Sequence, residues 1–292
     1  MKLYWWNPAR EPKTFSALTV QNPRMWSGLT RRGTWFPRNF GDELSPLVTE
    51  LAFETPVKWA SPKEAELFGL GSIIELHSQT RSSAVIWGSG VRSHLSKNIG
   101  VPSNLVAALR GVLSAEIVLG SSIKRLPSLG DPGLLAKNLN LSTGQRTGGL
   151  AFLPHFSAFA SVSSIRGIRR LEEAGFRILN PWWSPEKVLR EISKVEYLAT
   201  SSLHGLVCSN ALGTPADLVS LGEEHEPRFK YDDYLSLFNA KARFYEVDDL
   251  VSQANFLKLK EKAESESQRL VPLVDSAIRD LLASAKRAKT LL

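Results

Sequence analysis

The sequence has a single cysteine, Cys208, among 292 residues. One cysteine excludes an intramolecular disulfide and any zinc site built from several cysteines. No window contains the roughly 18 uninterrupted apolar residues that a membrane-spanning helix requires. The first ten residues also lack the apolar core of a signal peptide, because a proline and an arginine interrupt them. We therefore expect a cytoplasmic protein.

Several familiar catalytic motifs are missing as well. The chain has no GxxxxGK[ST] phosphate loop, no GxSxG nucleophile elbow, no HExxH zinc motif and no Asp-x-Asp pair. The candidate site residues are instead mostly cationic. This composition favours a small, densely anionic ligand that is bound without a metal.

The positive charge is unevenly distributed. The net charge is +7, and residues 1–38 contain seven lysines and arginines against one acidic residue, Glu11. Tryptophans are interleaved with these cations, a combination that suits an anionic surface, a diphosphate or sugar rings. Residues 7–38 therefore form a basic aromatic insertion that could bind such a ligand. The alternative is a solvated loop whose tryptophans only anchor it to the protein surface. Nucleic acid is not an expected partner.

Strands alternate with helices along the chain, which predicts an α/β fold with doubly wound parallel sheets. The strand pattern of A84-V-I-W-G-S-G90 is repeated in the second half by V195-E-Y-L-A-T200. The polar stretch 137–149 interrupts the pattern and predicts a linker between two domains, 1–140 and 141–292. We also predict a helix starting at S61-P-K-E64 and a helical tail over 255–292, broken or kinked at Pro272.

Two histidines follow strands of the second half. His204 comes after the strand that ends at Thr200, and Ser201 or Ser202 is placed to cap the next helix. The first turn of a helix is a ready anion site, and histidine is a common acid and base near neutral pH. His155 ends the strand L150-A-F-L-P-H155 on the same edge. The alternative is that each histidine has a purely structural role.

The first half offers cations and a glycine turn at corresponding positions. Arg110 ends a strand, and an arginine at such a position indicates a bidentate binding site for a carboxylate or phosphate. The alternative is a salt bridge to Asp131 or Glu116. Gly88 and Ser89 belong to a turn that resembles a phosphate cradle, and Arg92 follows it closely.

Two further polar positions complete the set. Asp131 lies in a tight turn, where it could hold Arg110 or orient a sugar hydroxyl. Lys230 lies in R228-F-K-Y-D-D-Y-L235 and either binds an anion or belongs to an exposed helix start.

Eight ordered blocks resemble the polysaccharide pyruvyl transferase family, and most closely its bacterial exopolysaccharide ketal-forming branch. They span about residues 39–235: N39-F-G-D-E-L-S-P-L47, L70-G-S-I-I74, V85-I-W-G-S-G90, L109-R-G-V-L-S-A115, Leu129-Gly130-Asp131-Pro132, F152-L-P-H155, S201-S-L-H-G205 running on to A211-L-G-T214, and F229-K-Y-D-D-Y234. Many members have arginine where this chain has Ser202.

The resemblance implies two Rossmann-like domains that face a cleft, as in B-type glycosyltransferases. It implies that phosphoenolpyruvate donates pyruvate to two hydroxyls of a sugar residue, forming a ketal in cell-surface polysaccharide biosynthesis and releasing phosphate. No cofactor or metal is implied. We predict His204 as general acid and base, with Arg110 as the main anion fork and His155 beside them. Donor-binding candidates add four residues, Ser201, Ser202, Lys230 and Arg92, and acceptor-binding candidates are Asn39, Asp42, Gly88, Ser89 and Asp131.

Two other functions stay open. A nucleotide-sugar glycosyltransferase would use the same two-sheet cleft, and a non-catalytic glycan-binding or membrane-binding protein could keep the fold. The acceptor in such reactions is often a lipid-linked oligosaccharide. The basic insertion and the tail would then make peripheral contact with the inner membrane face.

Overall fold

The computed structural model describes residues 1–7, 10, 38–96, 99–120, 126–141, 146, 148–222 and 226–292. Most of the basic aromatic insertion and His225 lie outside these residues. Two sheets organise the chain, and all their strand pairs in the described part are parallel. The predicted α/β class with parallel sheets is therefore confirmed. The Rossmann-like character of each half, the B-type arrangement and the domain division at residue 140 stay predictions.

The first sheet is built by the first half of the chain, and its six strands have the order β2-β1-β3-β4-β5-β6. These strands are β1 (Lys2–Tyr4), β2 (Lys58–Trp59), β3 (Leu67–Phe68), β4 (Val85–Ser89), β5 (Val106–Leu109) and β6 (Ser128–Leu129). The helices between them are α1 (Phe40–Phe53), α2 (Ile74–Thr80) and α3 (Val112–Leu119), and a 3-10 helix covers Pro132–Asn138. All five residues of β4 are buried, as expected for an apolar strand covered on both faces.

The second sheet has five strands in the order β11-β10-β9-β7-β8. They are β7 (Leu150–Leu153), β8 (Phe176–Ile178), β9 (Tyr197–Thr200), β10 (Ala216–Ser220) and β11 (Phe244–Glu246). The helices are α4 (Val162–Glu173), α5 (Pro185–Lys194), α6 (Leu203–Leu212), α7 (Phe229–Ser236), α8 (Val247–Val251) and α9 (Gln253–Ala288). Nine of the ten residues of α6 are buried, so this helix lies inside the molecule and not on its surface.

The long helix α9 returns to the first sheet. The Trp87 indole nitrogen donates to the Ser284 hydroxyl at 3.0 Å and to the Leu281 carbonyl at 3.3 Å. The tail was predicted to be broken or kinked at Pro272; α9 runs through this residue without a break, and the kink stays a prediction. Pro272 is exposed, so water can reach the carbonyl that loses its helical partner there.

Two other local predictions need correction. Residues 61–64 form a turn and not a helix, with the Glu64 amide donating to the Ser61 carbonyl at 3.0 Å. Strand β3 begins at Leu67, which leaves too little chain for a helix. The predicted linker begins inside the 3-10 helix, and its residues 142–145 and 147 lie outside the described part.

Candidate active site

His204 lies in the first turn of α6, where the sequence placed it. The Ser202 hydroxyl caps this helix by accepting from the Gly205 amide at 3.3 Å. A side chain at Gly205 would begin 2.3 Å from the Thr200 hydroxyl, so the glycine lets α6 start directly against the end of β9. His204 is only 8% exposed. The strand end, the cap and the glycine together fix the imidazole at the edge of the second sheet.

The start of α1, in the first half of the chain, packs against this imidazole. Asn39 caps α1, and its side-chain oxygen accepts from the Gly41 amide at 3.4 Å. A Cβ atom at Gly41 would lie 2.2 Å from His204 Nδ1. Only glycine therefore allows the imidazole to pack against this turn. Sequence reasoning missed this role of Gly41, although the glycine lies two residues after a helix cap.

Asp131 approaches the same imidazole from the other side. Its Oδ1 accepts from the Gly133 amide at 2.8 Å and so caps the 3-10 helix. Its Oδ2 lies 3.9 Å from His204 Nε2. Both of these atoms are buried, and neither has a hydrogen-bond partner within the described part of the chain. An orphaned acceptor and an orphaned ring nitrogen thus face each other in the interior.

Burial and neighbouring charges shift both groups. Burial, followed by the positive charges of Lys230 and Arg110, lowers the pKa of His204 to about 3. Burial raises the pKa of Asp131 to about 6, although Arg110 and the Gly133 amide oppose this shift. At neutral pH and without a ligand, His204 is therefore uncharged and Asp131 is a carboxylate. An anion bound beside His204 would favour its protonated form.

A second charged cluster lies next to His204 and consists of Lys230, Glu226 and Arg92. Lys230 is 6% exposed, and its Nζ lies 2.9 Å from the Glu226 carboxylate. Arg92 approaches the same carboxylate at 3.2 Å from a largely exposed position. Burial alone would raise the pKa of Glu226, but Lys230, His155 and Arg92 outweigh it and bring the pKa to about 2. Burial lowers the pKa of Lys230, with Glu226 opposing the shift.

The expectation that Lys230 begins an exposed helix is wrong, because the side chain is buried in the cluster. Glu226 escaped the sequence analysis. The only signal for it was its spacing of four residues before Lys230, which is typical of an ion pair on one helical turn.

His155 joins the edge of the second sheet to this cluster. Its backbone amide donates to the Ser201 hydroxyl at 2.9 Å, which ties the end of β7 to the end of β9. Its Nδ1 lies 2.6 Å from the Ser157 hydroxyl. His155 is 8% exposed, and its charge contributes to lowering the pKa values of His204 and Glu226. The structure thus brings the two predicted histidines together.

Arg110 has a different environment from the predicted one. Its side chain is completely buried, and its Nε donates to Asp233 Oδ2 at 2.8 Å. One terminal nitrogen donates to the Ser72 hydroxyl at 2.6 Å and the other to the Val91 carbonyl at 2.7 Å. The guanidinium is thus held by protein groups and is not an open fork for an anion. The alternative of a salt bridge is correct in kind, but the partner is Asp233, not Asp131 or Glu116.

Three predicted binding residues serve packing or capping instead. A Cβ atom at Gly88 would lie 2.4 Å from the Pro132 ring, and Ser89 is fully buried with its hydroxyl bonded to the Gly69 carbonyl. Neither residue is therefore free to contact a sugar acceptor. Ser202 is 2% exposed and occupied as the cap of α6.

Ser201, by contrast, is half-buried between His155 and the Tyr231 hydroxyl, which donates to its carbonyl at 2.8 Å.

Asn39 and Asp42 lie together at the start of α1, as an acceptor site in the first half would require. The Asn39 amide donates to Asp42 Oδ2 at 2.7 Å. Burial raises the pKa of Asp42 to about 7, against the opposing influences of Asn39 and the nearby Lys230. Asp42 is therefore a carboxyl group that can give or take a proton close to neutral pH.

Comparison with known proteins decides the family. A family model described as polysaccharide pyruvyl transferase matches residues 68–219, just over half of the chain. The chain belongs to this family. Membership implies a transferase. No curated protein matches the chain. A crystal structure of a functionally uncharacterised Klebsiella pneumoniae protein is similar at 15% identity, covering 72% of this chain and 89% of that one with a TM-score of 0.41.

The match to the pyruvyl transferase family covers part of the site. Arg92, Arg110, Asp131, His155 and His204 lie inside the matched residues. Two segments outside the match supply the rest, namely the start of α1 with Asn39, Gly41 and Asp42, and the segment with Glu226 and Lys230. The tertiary structure therefore extends the site beyond the recognised region.

No group of three or more histidine, cysteine, aspartate or glutamate side chains is arranged to hold a metal ion, as far as the described residues go. Within the same residues, no helix has the length and apolarity to cross a membrane.

Proposed function

We propose that this protein transfers pyruvate from phosphoenolpyruvate to two hydroxyls of a sugar residue, forming a pyruvate ketal and releasing phosphate in cell-surface polysaccharide biosynthesis. Family membership supports the transferase chemistry. The observation that carries the specific proposal is the charged cluster next to His204, in which the buried Lys230 and the more exposed Arg92 both contact Glu226. Phosphoenolpyruvate has a carboxylate and a phosphate on three carbons, so its recognition needs several cations in a small space.

The donor site consists of Lys230, Arg92 and His155, with Ser201 at its rim. The Glu226 carboxylate contacts Lys230 and Arg92, which supports the suitability of this cluster for a carboxylate ligand. Arg110 supplies a fixed positive charge from its buried ion pair. Because this charge is already oriented, it can stabilise an anion without reorganisation of the protein.

His204 exchanges the protons of the reaction. The first sugar hydroxyl gives its proton to His204 and adds through its oxygen to C2 of the enol, while the electron pair of the C2–C3 double bond takes up a proton from His204 to form the methyl group. The C2–O bond to phosphate then breaks, and the electron pair leaves with the phosphate. The second hydroxyl adds to C2, and its proton goes to the phosphate. One positioned acid and base typically contributes about 10²–10⁴-fold in rate to such transfers.

The acceptor site includes Asn39 and Asp42, whereas the completely buried Asp131 does not face an acceptor. Asn39 and Asp42 present an amide and a carboxyl at the start of α1, and such groups bind sugar hydroxyls by accepting and donating hydrogen bonds. A lipid-linked oligosaccharide at the inner membrane face and a cytoplasmic location fit this proposal.

The decisive experiment measures phosphate release from phosphoenolpyruvate with a panel of galactosides, glucosides and mannosides. Proton and phosphorus NMR of the product would identify a ketal methyl group. The His204→Gln variant should lose at least about 100-fold in turnover, since it lacks the acid and base. His94→Gln, an exposed histidine outside the cluster, is the matched control and should keep wild-type turnover.

The same assay separates the alternatives. Nucleotide release from a sugar nucleotide, with no phosphate released from phosphoenolpyruvate, would identify a glycosyltransferase. Binding of phosphoenolpyruvate by calorimetry without turnover on any acceptor would identify a non-catalytic binding protein. Unchanged turnover in His204→Gln would remove the central assignment.

A further inference from the structure

Among the described residues, two unpartnered polar atoms of the interior, from Asp131 and His204, face each other. Leaving a buried polar atom without a partner is costly, so proteins rarely keep one without a reason. Here two occur together, at 3.9 Å between Asp131 Oδ2 and His204 Nε2. This distance exceeds that of a hydrogen bond, but catalytic hydrogen bonds are often long without substrate and tighten when it binds.

Both residues are held in positions from which a short movement would form a hydrogen bond between Nε2 and Oδ2. The bond from the Gly133 amide to Asp131 Oδ1 fixes the carboxylate and leaves Oδ2 directed at the ring. The start of α1 supports the opposite edge of the imidazole, where a Cβ at Gly41 would collide with Nδ1. A shift of about 1 Å would bring Nε2 and Oδ2 within hydrogen-bond distance.

The arrangement also determines which nitrogen carries the proton. Two lone pairs facing each other in a buried, low-dielectric site repel, whereas an Nε2–H group directed at a carboxylate attracts it. Nε2 is itself inaccessible to solvent, so a substrate atom cannot reach it. The nitrogen left for the reacting atoms is Nδ1, which lies beside the Gly41 turn and, unlike Nε2, is not among the buried, unpartnered side-chain atoms of the described residues.

We propose that Asp131 is a positioning residue that accepts the Nε2–H of His204, so that Nδ1 exchanges protons with the substrate. This inference rests on the proposed function. Nδ1 would take the proton from the sugar hydroxyl and deliver it to the methylene carbon of the donor. Asp131 would keep its charge throughout and stabilise the imidazolium between these two transfers.

The ionisable surroundings set the pH range for a test. His204 faces Lys230, Arg110 and His155 besides Asp131, and Asp131 faces Arg110, Asp233 and Cys208. Above about pH 6, Asp131 is a carboxylate and can accept a hydrogen bond from the Nε2–H group. Measurements at pH 8 therefore examine the arrangement in its active form.

The test is nitrogen NMR of the full-length protein labelled with ¹⁵N-histidine. The chain has five histidines, and the His204 signals are those absent from His204→Gln. The wild type should show the Nε2–H tautomer. Asp131→Asn keeps the cap on Gly133 through its amide oxygen and presents an NH₂ group to Nε2, so His204 should change to the Nδ1–H tautomer. An Nδ1–H tautomer in the wild type, or the same tautomer in both proteins, would overturn the proposal.

Kinetics provides the second readout. With the wrong tautomer, Asp131→Asn should lose on the order of 10³–10⁴-fold in kcat, by analogy with a misprotonated histidine in a catalytic triad, and KM for the donor should change little. Asp248→Asn, which removes an exposed carboxylate paired with Arg170, is the control and should keep wild-type kinetics. Equal kcat in Asp131→Asn and wild type would refute the positioning role. If the wild type transfers no pyruvate, the proposed function fails, while the tautomer measurement still decides whether Asp131 orients His204.

Discussion

The buried ion pair between Arg110 and Asp233 yields the most informative prediction about stability. Asp233 lies on α7, the helix that carries Lys230, and Arg110 follows β5 of the first sheet. Both side chains are fully buried. The Asp233 carboxylate also accepts from the Ser114 amide at 2.7 Å and from the Ser114 hydroxyl at 2.6 Å. The pair therefore fastens α7, and with it the cationic cluster, to the first sheet.

Removing one partner leaves the other charge buried and unpaired. We expect Arg110→Met to lower the free energy of unfolding by about 3–5 kcal/mol, the usual cost of breaking a buried ion pair. For a protein of this size, such a loss lowers the melting temperature by about 5–8 °C. The double variant Arg110→Met/Asp233→Leu removes both charges and should recover part of this loss, because the desolvation penalty of the pair disappears while the Ser114 amide and hydroxyl lose their acceptor.

Differential scanning calorimetry measures these changes, and Asp232→Asn is the matched control. Asp232 precedes Asp233 on α7 but accepts only from the Ala242 amide in the described structure, so an asparagine can replace it at a cost below about 1 kcal/mol. Donor affinity measured on the same proteins tests the competing role. An unchanged melting temperature in Arg110→Met, with donor binding weakened more than about 100-fold, would show that Arg110 is an anion fork and refute the structural reasoning.

Two further predictions concern the start of α1. Gly41→Ala places a Cβ 2.2 Å from His204 Nδ1 and must displace the buried imidazole, so kcat/KM should fall at least about tenfold; wild-type kinetics would contradict this packing. Burial raises the pKa of Asp42 to about 7, above its unfolded value, so the folded protein binds more protons than the unfolded chain between about pH 4 and 7. The contribution of Asp42 to stability is therefore lost as the pH rises, and Asp42→Asn should gain stability relative to wild type across this range in urea titrations; a constant difference would refute the shift.

Much of the fold could be predicted because its signals are local. The apolar runs of β4 and β9 are short and bounded by small residues, and both form buried strands. The helix containing His204 was predicted from a serine cap next to a strand end, and Ser202 is the cap. Local signals failed where tertiary contacts decide, as at residues 61–64, where the start of β3 follows too soon for a helix.

The candidate site shows the same limit more clearly. Arg110 and Lys230 were both predicted as cations that bind the donor, and nothing in their neighbouring residues distinguishes them. The structure places Arg110 against Asp233, 123 positions further along the chain, whereas Lys230 pairs with Glu226 beside His155 and His204. The glycines at 90 and 111 now have an explanation, because side chains there would collide with the Arg110 guanidinium and with the backbone of Asp233.

The sequence by itself determined the α/β alternation, the family and the histidine at the head of α6, because caps, periodicity and ordered motifs are properties of neighbouring residues. Only the tertiary structure decided which cations form ion pairs inside the protein and which glycines allow a side chain to pack against them. It also decided that Asp131 faces the buried nitrogen of His204. These outcomes depend on the burial of groups distant in the chain, and burial sets both the cost of leaving a charge unpaired and the pKa at which a group changes its proton.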